Sequence, residues 1–266
     1  MIDLHCHLLP GVDDGPATLE ESVELARLTA AAGIDVAAAT PHVSRRHPTA
    51  PAVVHEGVAA LQRAIDAEGI ALRVVPGAEI ALDMLPDLDD EALGALRLGG
   101  GPFLLLEAPL SAGAPDAAPF IASAQRRGFR VLLAHPERSP QFQRAPELLA
   151  PLVADGVLVS VTAGAFAGRF GEPARRTAAL LLRRGLVHDL SSDLHDVRRR
   201  PPGIAEPLAA SGEDGRHAAE HLSWYADAVP AAILEGRALP PAPLVPPAAE
   251  RRRGGSLLGR LSRRGR

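Results

Sequence analysis

Lysine occurs nowhere in the 266 residues, so apart from histidine every basic side chain is an arginine. A metal site bridged by carbamylated lysine, as in many binuclear amidohydrolases, is therefore excluded. Cysteine is nearly as scarce, and Cys6 alone builds no internal disulfide framework. It also fails as the nucleophile of a cysteine phosphatase, whose Cys-x5-Arg loop would need arginine where Val12 stands. Aromatic residues are 3% of the chain against 47% apolar residues, so the core must be Ala, Leu and Val. No uncharged apolar run reaches the roughly 18 residues that would read as a membrane-spanning helix. Met1-Ile2-Asp3-Leu4-His5 runs straight into a strand pattern, without the basic start, apolar stretch and cleavage site of a signal peptide. These absences together lead to the expectation of a cytoplasmic protein.

The net charge of −4 hides an asymmetry. Residues 250–266 hold seven arginines and one glutamate, a charge of +6, which leaves −10 on the other 249 residues. An acidic body argues against a nucleic-acid binder. The arginine-rich end, with Leu257-Leu258 and Leu261, suits an anionic lipid surface or an acidic partner, which would put the chain peripherally at the inner face of a membrane. A solvated, disordered terminus is the simpler reading.

Short apolar runs alternate with longer amphipathic stretches, the pattern of parallel strands joined by helical crossovers. Strands are expected near 2–6, 36–40, 72–78, 103–107, 130–134, 157–161 and 187–191. Helices are expected from Thr18 to Gly33 with a Thr18/Glu21 capping box, then near 52–68, 116–127, 146–154, 172–184, 217–228 and 230–235. Residues 1–239 form one domain on this reading. Residues 240–248 are a stiff Pro-rich linker, and the chain from 249 onward is disordered.

What the chain has in quantity is metal-ligand chemistry at strand ends. His5 and His7 are two apart on a strand and leave the same face, and Asp193 and His195 repeat that spacing late in the chain. His42 follows Thr40-Pro41, and His135 precedes Pro136-Glu137-Arg138. Glu79 and Glu107 each end an apolar strand, where the alternative to a metal is a buried salt bridge. Asp13 and Asp14 could equally shape a turn. Adding Asp14 to the other eight gives nine ligands, which exceed the needs of one ion and suit a cluster of two or three divalent ions, usually a hydrolytic centre. Ligands contributed by nearly every strand end converge only in a closed barrel, so an α/β fold with a seven-stranded β/α barrel is expected. Arg138 and Arg200 stand close to ligands in sequence and suit a phosphate. Arg45 and Arg46, just past His42, could also face the mouth. Cys6 lies between two ligands and should point to the opposite face as a buried thiol. His47, His55, His188, His217 and His221 are read as surface or packing residues. Gly99-Gly100-Gly101 is a turn, because a strand follows it.

With these residues in place the chain resembles the PHP (polymerase and histidinol phosphatase) superfamily. The likeness is greatest to its metal-dependent protein-tyrosine phosphatases encoded with capsule and exopolysaccharide genes. The likeness covers residues 1–235 and rests on Met1-Ile2-Asp3-Leu4-His5-Cys6-His7, Gly11-Val12-Asp13-Asp14-Gly15-Pro16, Thr40-Pro41-His42, Pro76-Gly77-Ala78-Glu79, His135-Pro136-Glu137-Arg138 and Ser192-Asp193-Leu194-His195, with support from Arg200-Pro201-Pro202. It implies one metal on His5, His7, Glu79 and Asp193, and a second sharing Glu79 with Glu107 and His135. A third would sit on Asp14, His42 and His195, and Arg138 and Arg200 would hold the phosphate. Manganese is the implied metal, with zinc or iron as alternatives. The implied substrate is the phosphotyrosine-bearing tail of a bacterial tyrosine kinase, hydrolysed by in-line attack of a metal-activated hydroxide. Two features depart from the pattern: Asp196, where the family often has Asn, and the arginine-rich tail. The alternatives are histidinol-phosphate phosphatase or another small-molecule phosphoesterase and, outside enzymes, a metal-stabilised binding module.

Overall fold

Strands that end together are what bring distant ligands to one place, and the computed structural model has them in parallel register. It describes residues 1–113 and 115–244. In chain order the strands and helices are β1 (Ile2–Cys6), α1 (Leu19–Ala31), β2 (Val36–Ala39), β3 (His42–Val43), α2 (Pro51–Ala67), β4 (Arg73–Pro76), β5 (Glu79–Ala81) and α3 (Asp90–Ala95). Then follow β6 (Phe103–Glu107), α4 (Ala117–Arg126), β7 (Arg130–Ala134), α5 (Pro140–Arg144), α6 (Leu149–Ala154), β8 (Leu158–Thr162), α7 (Ala163–Phe166) and α8 (Gly171–Arg183). The described chain finishes with β9 (Asp189–Ser191), α9 (Ala205–Ala209), α10 (Glu213–Glu220), a π-helical turn at Trp224–Ala228 and α11 (Val229–Glu235). The arginine-rich tail lies outside the described residues, as does the linker from 245 onward. Among the described residues no helix is long and apolar enough to cross a membrane.

The strands are ordered β1-β2-β4 in one sheet and β3-β5-β6-β7-β8-β9 in the other, and every strand pairing is parallel. The α/β class with parallel sheets is as expected. The division into two sheets is not, and it has a local cause. The strands expected near 36–40 and 72–78 each break and resume, so β2 pairs with β4 and β3 with β5. Pro41 sits in the first break and has no N–H to give the ladder. Gly77 sits in the second, where an added Cβ would lie 2.9 Å from Leu98 and 3.1 Å from Thr40. Beyond the breaks His42 and Glu79 become register partners. At the other edge, Cys6 forms a bridge with Leu194, His7 N donates to Leu194 O at 2.9 Å, and Asp193 N donates to His5 O at 3.0 Å. The segment after β9 thus lies beside β1.

Alternation along the strands sorts the core into two parts. Leu104, Leu106, Val131, Leu133, Val159 and Val161 face the helices. Leu105, Leu132 and Leu158 face the other way, and Val229 and Ile233 of α11 join their cluster. The first helix is capped by Thr18, whose Oγ1 accepts from Glu21 N at 3.3 Å. Glu21 reaches back one residue further than the expected box, to Ala17 N at 2.7 Å.

Asp3, Asp189, Ser160 and Ser191 are polar and buried. Asp189 accepts from Ser160 Oγ, and its Oδ1 has no hydrogen-bond partner among the described residues. Burial pushes its carboxyl up to about 8, against the opposing pull of Ser160. A raised folded-state value means stability present below the unfolded value near 4 and lost as pH rises through 8. Asp189→Asn is therefore expected to match the wild type near pH 4 and to exceed it by about a few kcal/mol at pH 9. Urea midpoints across that range check this, and a pH-independent difference would contradict it.

Candidate metal centre

All nine sequence-selected residues fall into four groups of ligand atoms lying within 4.8 Å of one another: His7, Asp14, His42 and His195; His5, His7 and Asp193; His5, Glu79 and His135; His42, Glu79 and Glu107. Glu79 joins two of the groups and is 1% exposed. Its Oε1 lies 2.6 Å from His135 Nε2, and its Oε2 lies 2.9 Å from His42 Nδ1, 3.2 Å from His5 Nε2 and 3.3 Å from His7 Nε2.

Three of these atoms lie close together, and Asp193 Oδ1 approaches two of them. His5 Nε2 lies 3.3 Å from His7 Nε2, 3.2 Å from Glu79 Oε2 and 3.4 Å from Asp193 Oδ1. His7 Nε2 lies 3.3 Å from Glu79 Oε2 and 3.7 Å from Asp193 Oδ1. A tetrahedral ion with bonds of about 2.0–2.2 Å sets its ligand atoms about 3.4 Å apart. The spacing of the two rings with Glu79 Oε2 and with Asp193 Oδ1 fits ligands of a cation, and His5 Nε2 and His7 Nε2 face each other at 3.3 Å. Among the described residues the buried His5 Nδ1 and His135 Nδ1 have no hydrogen-bond partner, and the close ring and carboxylate neighbours of Glu79 Oε2 and His195 Nε2 lack hydrogen-bond geometry. A second cradle forms where Asp14 Oδ1 lies 3.3 Å from His195 Nε2 and 3.4 Å from His42 Nε2.

The charges point the same way. Burial alone would drive His7 down, yet the Asp13 and Glu79 carboxylates hold it at about 9. His42 is likewise held at about 11 against burial by Asp14 and Glu79. Burial would raise Glu79, but the His5 and His135 rings hold it well below the usual carboxylate range. Glu107 is pushed up to about 7 by burial and by the Glu79 charge. Burial and the neighbouring Arg138 push His135 down to about 4. Without a metal, carboxylates this close are balanced by imidazolium protons, which a cation would replace.

Backbone strain collects at the same place. His135 (φ 32°) and Asp193 (φ 52°) are the described non-glycine residues with positive φ, and both are ligand candidates. A side chain tolerates that region only where its surroundings over-determine it. At His135 the clamp is local. Pro136–Arg138 form a 3-10 turn, and buried Glu137 accepts from Thr162 N at 3.0 Å, tying the turn to β8. This directs His135 inward and carries Arg138 to the mouth.

Arg138 pairs with Asp193 Oδ2 and stacks its guanidinium 4.5 Å above the Phe170 ring. Arg200 reaches Asp193 Oδ2 at 3.5 Å and Asp14 Oδ2 at 3.1 Å. The loop that places it is pinned by Asp196, whose Oδ1 accepts from Arg198 N and Arg199 N, both at 2.7 Å. An Asn there would offer the same acceptor, so this departure has a conservative structural meaning. Cys6 is fully buried and its thiol is pushed well above the usual range, first by burial and then by Asp3.

The family profile described as capsular polysaccharide synthesis, CpsB/CapC, matches residues 1–225. The chain belongs to the CpsB/CapC family. The tyrosine-protein phosphatase YwqE of Bacillus subtilis is 34% identical over 201 residues, covering 75% of this chain and 79% of that protein. The tyrosine-protein phosphatase CpsB of Streptococcus agalactiae is 25% identical over 214 residues, covering 77% and 87%. Among solved structures, one from the study of YwqE from Bacillus subtilis and CpsB from Streptococcus pneumoniae, described as unique metal-dependent tyrosine phosphatases, superposes with a TM-score of 0.74. It is 28% identical and covers 90% of this chain and 96% of that one. Dihydropyrimidinase from Brevibacillus agri superposes with a TM-score of 0.50 at 12% identity, a likeness of fold alone, over 88% of this chain and 70% of that one.

Two residues of this CpsB/CapC chain gain roles that sequence reasoning did not assign. Asp13 Oδ2 lies 2.6 Å from His7 Nδ1 and accepts from His42 N at 2.9 Å, while Oδ1 accepts from Gly15 N at 2.9 Å. It fixes the ring of one candidate ligand and the backbone of another. A signal existed: a ligating imidazole needs an acceptor for its second N–H, and two adjacent carboxylates offer one spare. Asp13→Ala is expected to weaken metal retention and activity by about 10–100-fold. Metal content after dialysis, measured beside kcat, checks this, and unchanged retention would remove Asp13 from the site. The second residue is His47, whose ring stacks on His42 with centroids 5.8 Å apart. No spacing in the sequence signalled that contact.

Proposed function

We propose that this CpsB/CapC chain is a metal-dependent tyrosine-protein phosphatase of capsular polysaccharide synthesis. Its substrate on this reading is the phosphotyrosine tail of a bacterial tyrosine kinase in the cytoplasm. Two or three divalent ions, manganese for preference, would be held by His5, His7, Asp14, His42, Glu79, Glu107, His135, Asp193 and His195. The bridge between Cys6 and Leu194 supports reading the two sheets as one distorted, closed seven-stranded barrel. The observation that carries the proposal is that His5 and His7 share Glu79 Oε2 and Asp193 Oδ1 while the other oxygen of Asp193 holds Arg138 and Arg200.

A bound divalent cluster supplies Lewis acidity and lowers the pKa of water. The chain's own residues do the rest. Asp193 divides its oxygens, Oδ1 towards His5 and His7 and Oδ2 towards Arg138 and Arg200. It thereby holds two guanidinium groups at the rim, aimed to pair with phosphate oxygens. His195 Nδ1 lies 2.9 Å from its neighbour Asp193 O, which turns Nε2 into the site. Tyrosine leaves with a pKa near 10, so no strong general acid is required. Buried Cys6 takes no part as nucleophile.

The test compares kcat/KM for a phosphotyrosyl peptide, p-nitrophenyl phosphate and histidinol phosphate with Mn²⁺ added. Preference for the peptide supports the proposal. Preference for histidinol phosphate would replace it with the small-molecule reading, and no hydrolysis of any of the three would leave a metal-stabilised binding module.

A further inference from the structure

Beside the ligand Glu107 a cleft of ≈ 810 Å³ opens between the loop after β3, the turn after β5 and the loop after β6. That volume is typical of sites that seat a ligand of several hundred daltons. It exceeds what a phosphate and one ring need. Its two sides differ in chemistry. On one side Pro109 and Leu110 line the opening with Phe120, and Leu110 is 43% exposed. Pro109 O accepts from Ser139 Oγ at 2.7 Å, which fastens this wall to the turn that carries Arg138. On the other side stand Arg45 and Arg46. Arg45 is neutralised by Asp83 at 3.4 Å and Asp87 at 3.0 Å. Arg46 is exposed and has no hydrogen-bond or ion-pair partner among the described residues.

A single free cation opposite an apolar wall, next to the reacting centre, is a specificity device. The body carries −10, so its overall field does not draw in acidic peptides, and discrimination has to be local. We propose that this cleft seats the peptide flanking the phosphotyrosine, with a carboxylate side chain at Arg46 and an apolar side chain against Pro109 and Leu110. The inference rests on the phosphatase reading and adds the class of sequence it selects: acidic and apolar neighbours over basic ones. Extended peptide gives both contacts at once, because successive side chains leave opposite faces.

The experiment measures kcat/KM at low ionic strength for two phosphotyrosyl peptides whose flanking residues are Glu in one and Lys in the other. Wild type, Arg46→Glu and Leu110→Ser are compared, with p-nitrophenyl phosphate as a substrate that has no flank. Wild type is expected to favour the Glu peptide about fivefold, the scale of one surface ion pair, and Arg46→Glu to favour the Lys peptide. Leu110→Ser should lower kcat/KM for both peptides about threefold relative to p-nitrophenyl phosphate. Ratios taken within one protein cancel any loss of folded fraction. An unchanged Glu/Lys ratio in Arg46→Glu overturns the assignment while leaving the phosphatase intact. Failure of wild type to hydrolyse any phosphotyrosyl substrate overturns both.

Discussion

Glu79→Gln is expected to lower kcat on p-nitrophenyl phosphate about a thousandfold or more and to remove most of the bound metal. Both carboxylate oxygens are committed, Oε1 to His135 and Oε2 to His5, His7 and His42. Gln keeps the shape but turns one acceptor into an NH₂ group, which would face either His135 or the three rings around Oε2. An NH₂ group cannot ligate a cation, and the amide lacks the negative charge that the surrounding rings and a bound cation balance. Metal analysis of the purified variant beside its kinetics checks the expectation. Cys6→Ala supplies the contrast: it is fully buried, faces away from the ligands and should keep kcat within about twofold. A Cys6→Ala protein as inactive as Glu79→Gln would sink the metal-based scheme.

Removing the metal should abolish turnover and change the pH dependence of stability in a definite direction. In the metal-free protein His7 is held at about 9 and His42 at about 11 by their carboxylate neighbours, against burial. Raised histidine values stabilise the fold below the unfolded value near 6.5, and that contribution is lost as pH rises through 9 and beyond. Metal binding needs those same protons gone, so affinity should rise about tenfold per pH unit for each proton displaced. The two trends diverge. The gap in Tm between Mn²⁺-loaded and chelated protein should therefore widen from pH 6.5 to pH 9. Calorimetry with and without chelator measures it, and a gap that narrows with pH would mean that these histidines do not bind metal.

The fold was legible wherever a signal was local. Alternation marked β1, and apolar runs of four residues marked β6 and β7, at their observed bounds, because alternation and burial act within a few positions. The breaks at Pro41 and Gly77 were not read, although both residues are known strand interrupters. At Gly77 the surroundings decide it, since an added side chain would meet Leu98 and Thr40 from other parts of the chain. The same limit hid Asp13. Its partner His7 is six residues away, but its second partner, His42 N, arrives from another strand.

Ligand chemistry and the spacing of His5 with His7 and of Asp193 with His195 were determined by the sequence alone. Side-chain type and strand period need no neighbours to be known. Tertiary structure alone decided how those groups share their atoms: Glu79 divided between His135 and three other rings, and Asp193 divided between rings and arginines. That division depends on inter-strand register and on left-handed backbone at His135 and Asp193. Only the packed chain sets these, because the contacts that hold them join separate elements, 56 positions apart for Glu79 and His135 and 25 for Glu137 and Thr162.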